Sequence, residues 1–266
     1  MRPERTPAAL RWIALLASVA LSCGNVWAAS GNCKYSDDSA DTSGTGMGGT
    51  GDMAKGTGIG GTGIRLGVYL NETRFVGNVS ISQGTVEAQS EGRSRFLAKG
   101  DPVCAGDTII TSQTSLVQIK MADGGSLTLR PQTQLKIEKF VYGGTSKDGS
   151  LIALHKGACR IVSGKTGHRY PLNVLLKTPT ATIGAHGADH EATVILPGDS
   201  GGQTAGTYDK VNTGTSSIKT EMGEVDIQPN QVGFAASNDE LPSLLEEIPG
   251  FYKDYPPLKQ ESNSAE

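Results

Sequence analysis

Apolar and polar residues alternate in short runs through the middle of the chain. Val117, Ile119 and Met121 are separated by single polar residues, and the alternation resumes at Leu127 and Leu129 after an Asp-Gly-Gly-Ser sequence. Because successive side chains of a strand point to opposite faces, a period of two on both sides of an Asp-Gly turn predicts a β-hairpin. Further runs of this kind are Val79–Ile81, Thr108–Thr111, Leu135–Ile137, Ile152–Leu154, Cys159–Ile161, Val174–Leu176, Val194–Leu196 and Val225–Ile227.

These runs together predict the fold class. Many short strands, spaced by roughly eight to twelve residues, are typical of all-β sandwiches, barrels and solenoids. We therefore expect one multi-stranded antiparallel β-domain over residues 68–236.

A different spacing follows the last predicted strand. Four apolar residues recur at helical intervals, and the Pro-Gly pair after them would end a helix. They are Leu241, Leu244, Leu245 and Ile248. We predict one short C-terminal helix, packed on the sheet, within a segment 237–266 whose polar, Pro-containing remainder has the composition of a disordered tail.

The N-terminus has the pattern of a secretory signal peptide. Three arginines within residues 1–11 precede an uncharged apolar run over residues 12–23, which is shorter than the roughly twenty residues that span a bilayer. A small-residue site ends at Ala28, so we expect residues 1–28 to be removed by cleavage after Ala28. Lipoprotein anchoring through Cys23 is the alternative, although Ala20 stands where such sites usually carry Leu. We expect an exported chain, periplasmic or extracellular, without a transmembrane segment after cleavage.

Glycine concentrates in the next segment. The chain has 36 Gly among 266 residues, and residues 44–51 and 56–63 repeat one Gly-Thr-rich octamer. Such a sequence cannot bury enough apolar surface to offset the entropy of ordering its backbone, so residues 29–67 are predicted to be a flexible linker. Both copies contain GxGxxG, but a dinucleotide site needs a strand before that motif and a helix after it. No cofactor is expected.

Charge excludes another class of partner. The formal net charge is −3, and the basic residues do not cluster with aromatic ones. Phosphate backbones are bound by a concentrated positive field. Nucleic acid is therefore not an expected partner.

Four sequence blocks in order resemble the FecR domain. They are Gly100–Asp101 with Gly106–Thr111, Asp123–Leu129, Gly157–Gly164 and Thr178–Gly184. The resemblance extends over about residues 79–234 and implies a periplasmic β-domain, here expected without the anti-sigma and transmembrane segments of the best-known members. His186 and Ala188 stand where the family pattern has Arg and Thr, so no role of that Arg carries over.

The cysteines show no zinc-binding spacing. They stand at positions 23, 33, 104 and 159, without a CxxC pair. An oxidising compartment permits a disulfide, and Cys104 with Cys159 is the pair that lies within the predicted β-domain. The alternative is that both are small buried hydrophobic residues. Cys33 is left over in either case.

Three motifs resemble known functional sites: a metal site, a protease nucleophile and a phosphate loop. In a strand, residues four apart share a face, so His186 and His190 with Asp189 are candidate metal ligands. Ser200 lies in the Gly-Asp-Ser-Gly-Gly sequence of chymotrypsin-like proteases, but the chain has no histidine far enough upstream for that mechanism. The Ser-Gly-Lys-Thr sequence at 163–166 lacks the leading glycine of a phosphate loop, because Cys159 takes its place.

These observations favour a non-enzymatic protein-recognition domain in the cell envelope, with an envelope protein as partner and a role in signalling. The expected contact surface is a sheet edge or loop over residues 178–191 and 197–216. A structural or adhesive protein that binds glycan is the alternative, against which the 5% aromatic content counts. A hydrolase or a metal-binding protein is the weaker alternative.

Overall fold

The computed structural model describes residues 75–199 and 202–253, which form an all-β domain. The strands of this part are β1 (Phe75–Gln83), β2 (Val86–Ser90), β3 (Arg93–Phe96), β4 (Pro102–Cys104), β5 (Thr108–Thr111), β6 (Leu116–Met121), β7 (Ser126–Leu129), β8 (Gln134–Val141), β9 (Gly149–Val162), β10 (Val174–Lys177), β11 (Thr182–Ile195), β12 (Gly206–Lys219), β13 (Glu224–Ile227), β14 (Val232–Ala235) and β15 (Ser243–Leu244). One α-helix, α1 (Lys165–Arg169), and two 3-10 turns, Pro171–Asn173 and Gly250–Tyr252, complete the described residues. The predicted all-β class is confirmed.

One continuous sheet connects all of these strands. Its main order is β15-β14-β12-β11-β10-β9-β7-β6-β1-β4, and a branch runs from β9 through β8, β5 and β2 to β3. The ladders are antiparallel apart from the parallel pair β9–β10. The fourteen-residue strand β9 pairs with β7, β8, β10 and β11 along different parts of its length. Strand β9 therefore connects the main order of strands to the branch.

The predicted hairpin is formed by β6 and β7. Val117 lies opposite Leu129, and Ile119 lies opposite Leu127. These four side chains are fully buried, as the alternating pattern requires. The carboxylate of Asp123 accepts a hydrogen bond of 3.0 Å from the Gly125 backbone N–H, which fixes the turn.

A bulge in β11 changes which side chains face the core. Ile183 and Ala185 are buried before the bulge, whereas His190 and Ala192 are buried after it, so the buried positions change from odd to even numbers. The ladder with β12 shifts between His186 and Asp189, and Gly187 has a φ of +63° within that stretch. An extra residue in one strand reverses the facing of everything that follows it.

The predicted C-terminal helix is wrong. The segment contains the short strand β15, whose residues pair with Gly233 and Phe234 of β14. Leu241 is 70% exposed, whereas Leu245 and Ile248 pack against a small cluster that contains Tyr208 and Tyr252. The spacing of these apolar residues therefore reflects the contacts of Leu245 and Ile248 with that cluster, and the free hydrogen-bonding groups of β14 favour an extended backbone over a helix.

The predicted contact surface also changes. Residues 197–216 were expected to form a loop, but Gly206–Lys219 is the long strand β12. Both edges of β11 are hydrogen-bonded, to β12 on one side and to β10 and β9 on the other. On the side of β10 and β9 the ladders cover residues 182–184 and 189–194, so β11 presents no continuous free edge for strand addition, and the first part of β12 is paired on both sides.

Several predictions lie outside the described residues. They concern the signal peptide 1–28 with its cleavage after Ala28, Cys23, the linker 29–67, Ser200, and the end of the segment 237–266. Among the helices that are described, none has the length and apolar character needed to cross a membrane.

Candidate functional site

An open groove of 920 Å³ lies on the outer face of strands β8, β9 and β10. One wall comes from Ser90 and Glu91 at the end of β2, together with Ala105 and Gly106 after β4. The opposite wall comes from the loop between β8 and β9 and from the 3-10 turn at Pro171–Asn173. The volume lies in the range of binding clefts, roughly 300 to 1,000 Å³.

Part of the groove lining is apolar. Val141, Leu151 and Leu175 line it and are half-buried. The neighbouring Phe140 and Leu176 belong to the buried hydrophobic core. An antiparallel sheet that is solvated on one face usually carries polar residues there. The three aliphatic side chains thus depart from that pattern.

Leu172 extends this apolar surface at the wall. It is 81% exposed, the largest value among the exposed large hydrophobic residues of the described part of the chain. A single exposed leucine is ordinary, but here it borders three further aliphatic side chains in one concave surface. Contiguous apolar surface of this kind marks interaction sites.

The loop between β8 and β9 is held in place by a buried carboxylate. Asp148 is 2% exposed and accepts hydrogen bonds from the backbone N–H groups of Gly143, Gly144 and Thr145, at 3.0, 2.8 and 3.2 Å. Asn173 Nδ2 donates to the backbone oxygens of Ser146 and Asp148, at 3.2 and 2.8 Å. The groove wall is therefore fixed before any ligand arrives.

Hydrogen bonding also governs the titration of Asp148. Burial alone would raise the pKa of its carboxyl, but the three backbone N–H groups and the Thr145 hydroxyl stabilise the carboxylate. The net effect is a pKa below the usual value. The Asp148 carboxyl is therefore ionised at neutral pH and keeps accepting the hydrogen bonds of the loop.

Charged side chains share the groove lining with the aliphatic ones. Glu91, Glu138, Lys139 and Lys147 all line the groove, two of each sign. Protein-recognition surfaces usually combine apolar side chains with polar and charged ones.

The candidate metal ligands do not meet at one site. The bulge leaves His186 exposed, while His190 is 1% exposed within the core. Asp189 faces outward and forms a paired contact with Arg160, 2.8 Å to Nε and 2.6 Å to Nη2. Within the described residues, no three His, Cys, Asp or Glu side chains are grouped as a metal site would need.

A buried polar network holds His190 instead. Its Nδ1 lies 2.7 Å from Asp209 Oδ1, and the Ser216 hydroxyl donates to Asp209 Oδ2 at 2.6 Å. Burial lowers the pKa of His190, but the charge of Asp209 and its hydrogen bond outweigh that effect and raise the pKa above its ordinary value. The histidine and the serine share the aspartate from opposite sides, whereas a hydrolytic triad needs the histidine in the middle.

The predicted disulfide is wrong. Cys159 is a free, buried thiol on β9, and Cys104, at the end of β4, is disulfide-bonded. Burial raises the pKa of the Cys159 thiol, so it is held in the unreactive protonated form. Cys159 therefore fits the alternative of a small hydrophobic core residue.

Residues of the family-like blocks serve turns and loop contacts. Asp107 accepts a hydrogen bond of 3.0 Å from the Cys104 backbone N–H, which closes the turn after β4. The Thr207 hydroxyl lies 2.7 Å from those of Thr178 and Thr180, so the Thr-Pro-Thr-Ala segment is attached to β12. The contacts of these motifs hold turns and loops in place, so the motifs indicate a fold and not a particular reaction.

Sequence reasoning missed the groove because its residues come from five separate segments. The signal that could have pointed to it is Leu172, which stands alone in a polar connection between β9 and β10.

Comparison with known protein families gives one match within the described domain. Residues 107–205 match the family model described as FecR protein. This chain contains a FecR domain. The matched stretch begins just before β5, ends just before β12, and includes the floor of the groove.

Two solved structures are also similar in part. Both are crystal structures, at 1.65 and 2.50 Å, of a candidate anti-sigma factor from Parabacteroides distasonis ATCC 8503, 13% and 14% identical to this chain. Each match has a TM-score of 0.40 and covers 52% of this chain and 58% of the other. The chain thus spans less than two thirds of the structures that it matches. No curated protein matches it.

Proposed function

We propose that this FecR domain is an exported protein-recognition module of the cell envelope, that it takes part in signalling, and that it acts by binding rather than by catalysis. The observation that carries the proposal is the groove over β8, β9 and β10, whose loop wall is held by Asp148 and whose lining includes the exposed Leu172. A partner side chain that covered Leu172 would remove a largely exposed leucine from water. Full burial of such a side chain contributes about 1.5–3 kcal/mol.

The partner is an envelope protein that presents an apolar segment with charged flanks. The aliphatic floor accepts the apolar part, and Glu91 on one wall and Lys139 beside the floor offer both signs of charge to its flanks. Such rim charges favour the correct orientation of a partner more than they add affinity. Export of the chain, with residues 1–28 as the signal peptide and 29–67 as the linker, belongs to the same proposal.

The groove favours a protein ligand over a glycan. Sugar rings stack on exposed aromatic side chains. Phe140 is the aromatic residue among those that line the groove, and it is 3% exposed with its ring in the core. A structural, glycan-binding role therefore receives no support from this surface.

Photo-crosslinking in living cells tests the proposal. A benzophenone amino acid is placed at Leu172 in the groove and, as the control, at Met222, which is 58% exposed in the turn between β12 and β13. We expect one dominant protein adduct from position 172 and none of the same mass from position 222. Adducts with polysaccharide alone, or the same protein adduct from both positions, would contradict recognition through the groove.

A further inference from the structure

A second, smaller cleft adjoins the groove beside the hairpin of β2 and β3. Its volume is 430 Å³, and the two cavities share Ser90, Glu91 and Gly106 in their linings. The hairpin turn at Glu91 and Gly92 therefore lies at the boundary between them. The groove and the cleft are thus adjacent parts of one surface.

The lining of the cleft is polar, whereas the groove also carries aliphatic side chains. Apart from the three shared residues, the cleft is lined by one glycine and by amide, hydroxyl and cationic side chains, namely Gln89, Gly92, Arg93, Ser94, Thr108 and Lys136. The combined surface therefore offers a partner an apolar part followed by a polar, cationic part.

The two cations of the cleft have no carboxylate partner. Among the described residues, no ion pair includes Arg93 or Lys136, whereas the neighbouring Arg95 is paired with Asp107. Glu91 is the acidic residue of the lining, and it lies at the boundary with the groove. Because a concave protein surface focuses the field of its charges, the cleft favours an anionic group.

The sheet places Lys136 one step beyond the aliphatic residues of the groove. Leu151 of β9 lines the groove, and Ala153, two residues further along, lies opposite Lys136 of β8. Lys136 faces outward, since Leu135 and Ile137 on either side of it are fully buried. Residues two apart on a strand share a face and are separated by about 7 Å. An extended segment that covers Leu151 thus brings its next side chains close to Lys136.

We propose that the partner is bound through an extended protein segment in which an apolar stretch is followed by Asp or Glu side chains about two to four residues further along. The apolar stretch lies in the groove, and the carboxylates bind Lys136 and Arg93 in the cleft. This inference rests on the proposed recognition of a protein through the groove, and it specifies the chemistry and the direction of the bound segment.

The number and the placement of the cations favour a protein segment over a lipid surface. Recognition of anionic lipids generally uses clusters of roughly four to eight Lys or Arg residues on an accessible face. The cleft presents Arg93 and Lys136 within a concave surface. Such a site fits one or two carboxylates of a single extended chain.

Fluorescence anisotropy with synthetic peptides tests the proposal. Two labelled peptides share a half rich in Val and Leu, and their other half is rich in Glu in one peptide and in Gln in the other. With the full exported chain at low salt, we expect the Glu-rich peptide to bind about three- to tenfold more tightly, since partly exposed charge pairs contribute modestly. The preference should shrink as the salt concentration rises.

Variants of the cleft assign the preference to its two cations. Lys136→Gln and Arg93→Gln should each reduce the preference for the Glu-rich peptide. Lys120→Gln, which removes an exposed lysine of β6, is the matched control and should retain it. Equal affinities of the two peptides, binding of neither peptide, or a preference that survives in both cleft variants would overturn the inference. Binding of phosphatidylglycerol vesicles or of a polyuronate in place of the Glu-rich peptide would overturn it too, in favour of a lipid or a glycan.

The inference and the proposed function can fail separately. A protein adduct from position 172, found together with no preference between the peptides, leaves recognition through the groove standing and overturns the inference. A preference for the Glu-rich peptide without any adduct from position 172 contradicts recognition through the groove in the cell and leaves the carboxylate specificity of the cleft standing.

Discussion

At the scale of single residues, the least expected feature is the pair of His190 and Asp209 inside an apolar core. Both side chains are at most 1% exposed, and the Ser216 hydroxyl occupies the second oxygen of the aspartate. A buried ionisable pair is retained only where its hydrogen bonds are satisfied, because desolvation penalises the charged forms. The network thus joins the two halves of β12 to β11 through one carboxylate.

The pair predicts a pH-dependent contribution to stability. The pKa of His190 is raised in the folded state. Its stabilising effect is therefore complete below the unfolded value of about 6.5 and is lost as the pH rises through the folded pKa. We expect His190→Gln to remove this part of the pH dependence of the free energy of unfolding, measured in urea between about pH 5 and pH 9.

The matched control for this prediction is the exposed His186. His186→Gln should cost much less stability than His190→Gln, because the His186 side chain is exposed to solvent just before the bulge. An unaltered profile in His190→Gln would show that the network does not titrate in this range.

A second residue, Asp148, controls the groove wall. Asp148→Asn replaces the acceptor of three backbone N–H groups. We expect the free energy of unfolding at neutral pH to fall by about 1–3 kcal/mol, the usual cost of an unsatisfied buried group. Since the pKa of Asp148 is lowered, the difference from the wild type should shrink as the pH falls through that low folded value.

Urea unfolding measures this effect, with Asp199→Asn as the control, since Asp199 is exposed. Equal losses in the two variants would refute the role assigned to Asp148.

At the scale of elements, the bulge in β11 explains why sequence reasoning about this strand failed. The alternation identified the strand, and two histidines four residues apart were expected on one face. The glycine at position 187 adopts a positive φ and adds one residue, so the two histidines face opposite sides. An alternating pattern of apolar and polar residues does not by itself locate a bulge. A glycine inside the predicted strand is the sequence signal for one.

The bulge should tolerate substitution poorly. A Cβ at position 187 would lie 2.7 Å from His168 Nδ1, in addition to the strain of a positive φ. We expect Gly187→Ala to cost more than Gly198→Ala, whose φ is +95° but whose Cβ would meet nothing within 4 Å. The expected costs are about 2–3 and about 1 kcal/mol.

Thermal unfolding of the two alanine variants measures this difference. Adding His168→Ala to Gly187→Ala should recover part of the loss by removing the contact. Equal stability of the two single variants would show that the space around position 187 is not limiting.

The β6–β7 hairpin was the element most predictable from the sequence. Its turn sequence and its alternation of buried and exposed residues lie within one short segment of the chain. The apolar residues at 241–248 led to a wrong helix prediction, because the same spacing also allows an extended segment to contact one cluster of aromatic residues. The long strand β12 was missed because its first half carries polar residues such as Asp209, whose buried partner comes from β11.

At the scale of the whole molecule, the fold brings distant segments into one binding surface. Glu91, Ala105, Leu151 and Leu172 meet in the groove although they are widely separated along the chain. The family resemblance correctly predicted the FecR domain, since its motifs are local turns. The groove depends on contacts between distant segments, so it does not follow from local patterns.

Affinity for the partner tests the central claim most directly. The protein captured at position 172 is purified, and its dissociation constant is measured with the wild type, Leu172→Glu and Met222→Glu. Both substituted positions are well exposed, so neither change should alter the thermal midpoint appreciably. Recognition through the groove predicts affinity at least about tenfold weaker for Leu172→Glu and about equal to the wild type for Met222→Glu. Equal affinities for all three proteins would contradict it.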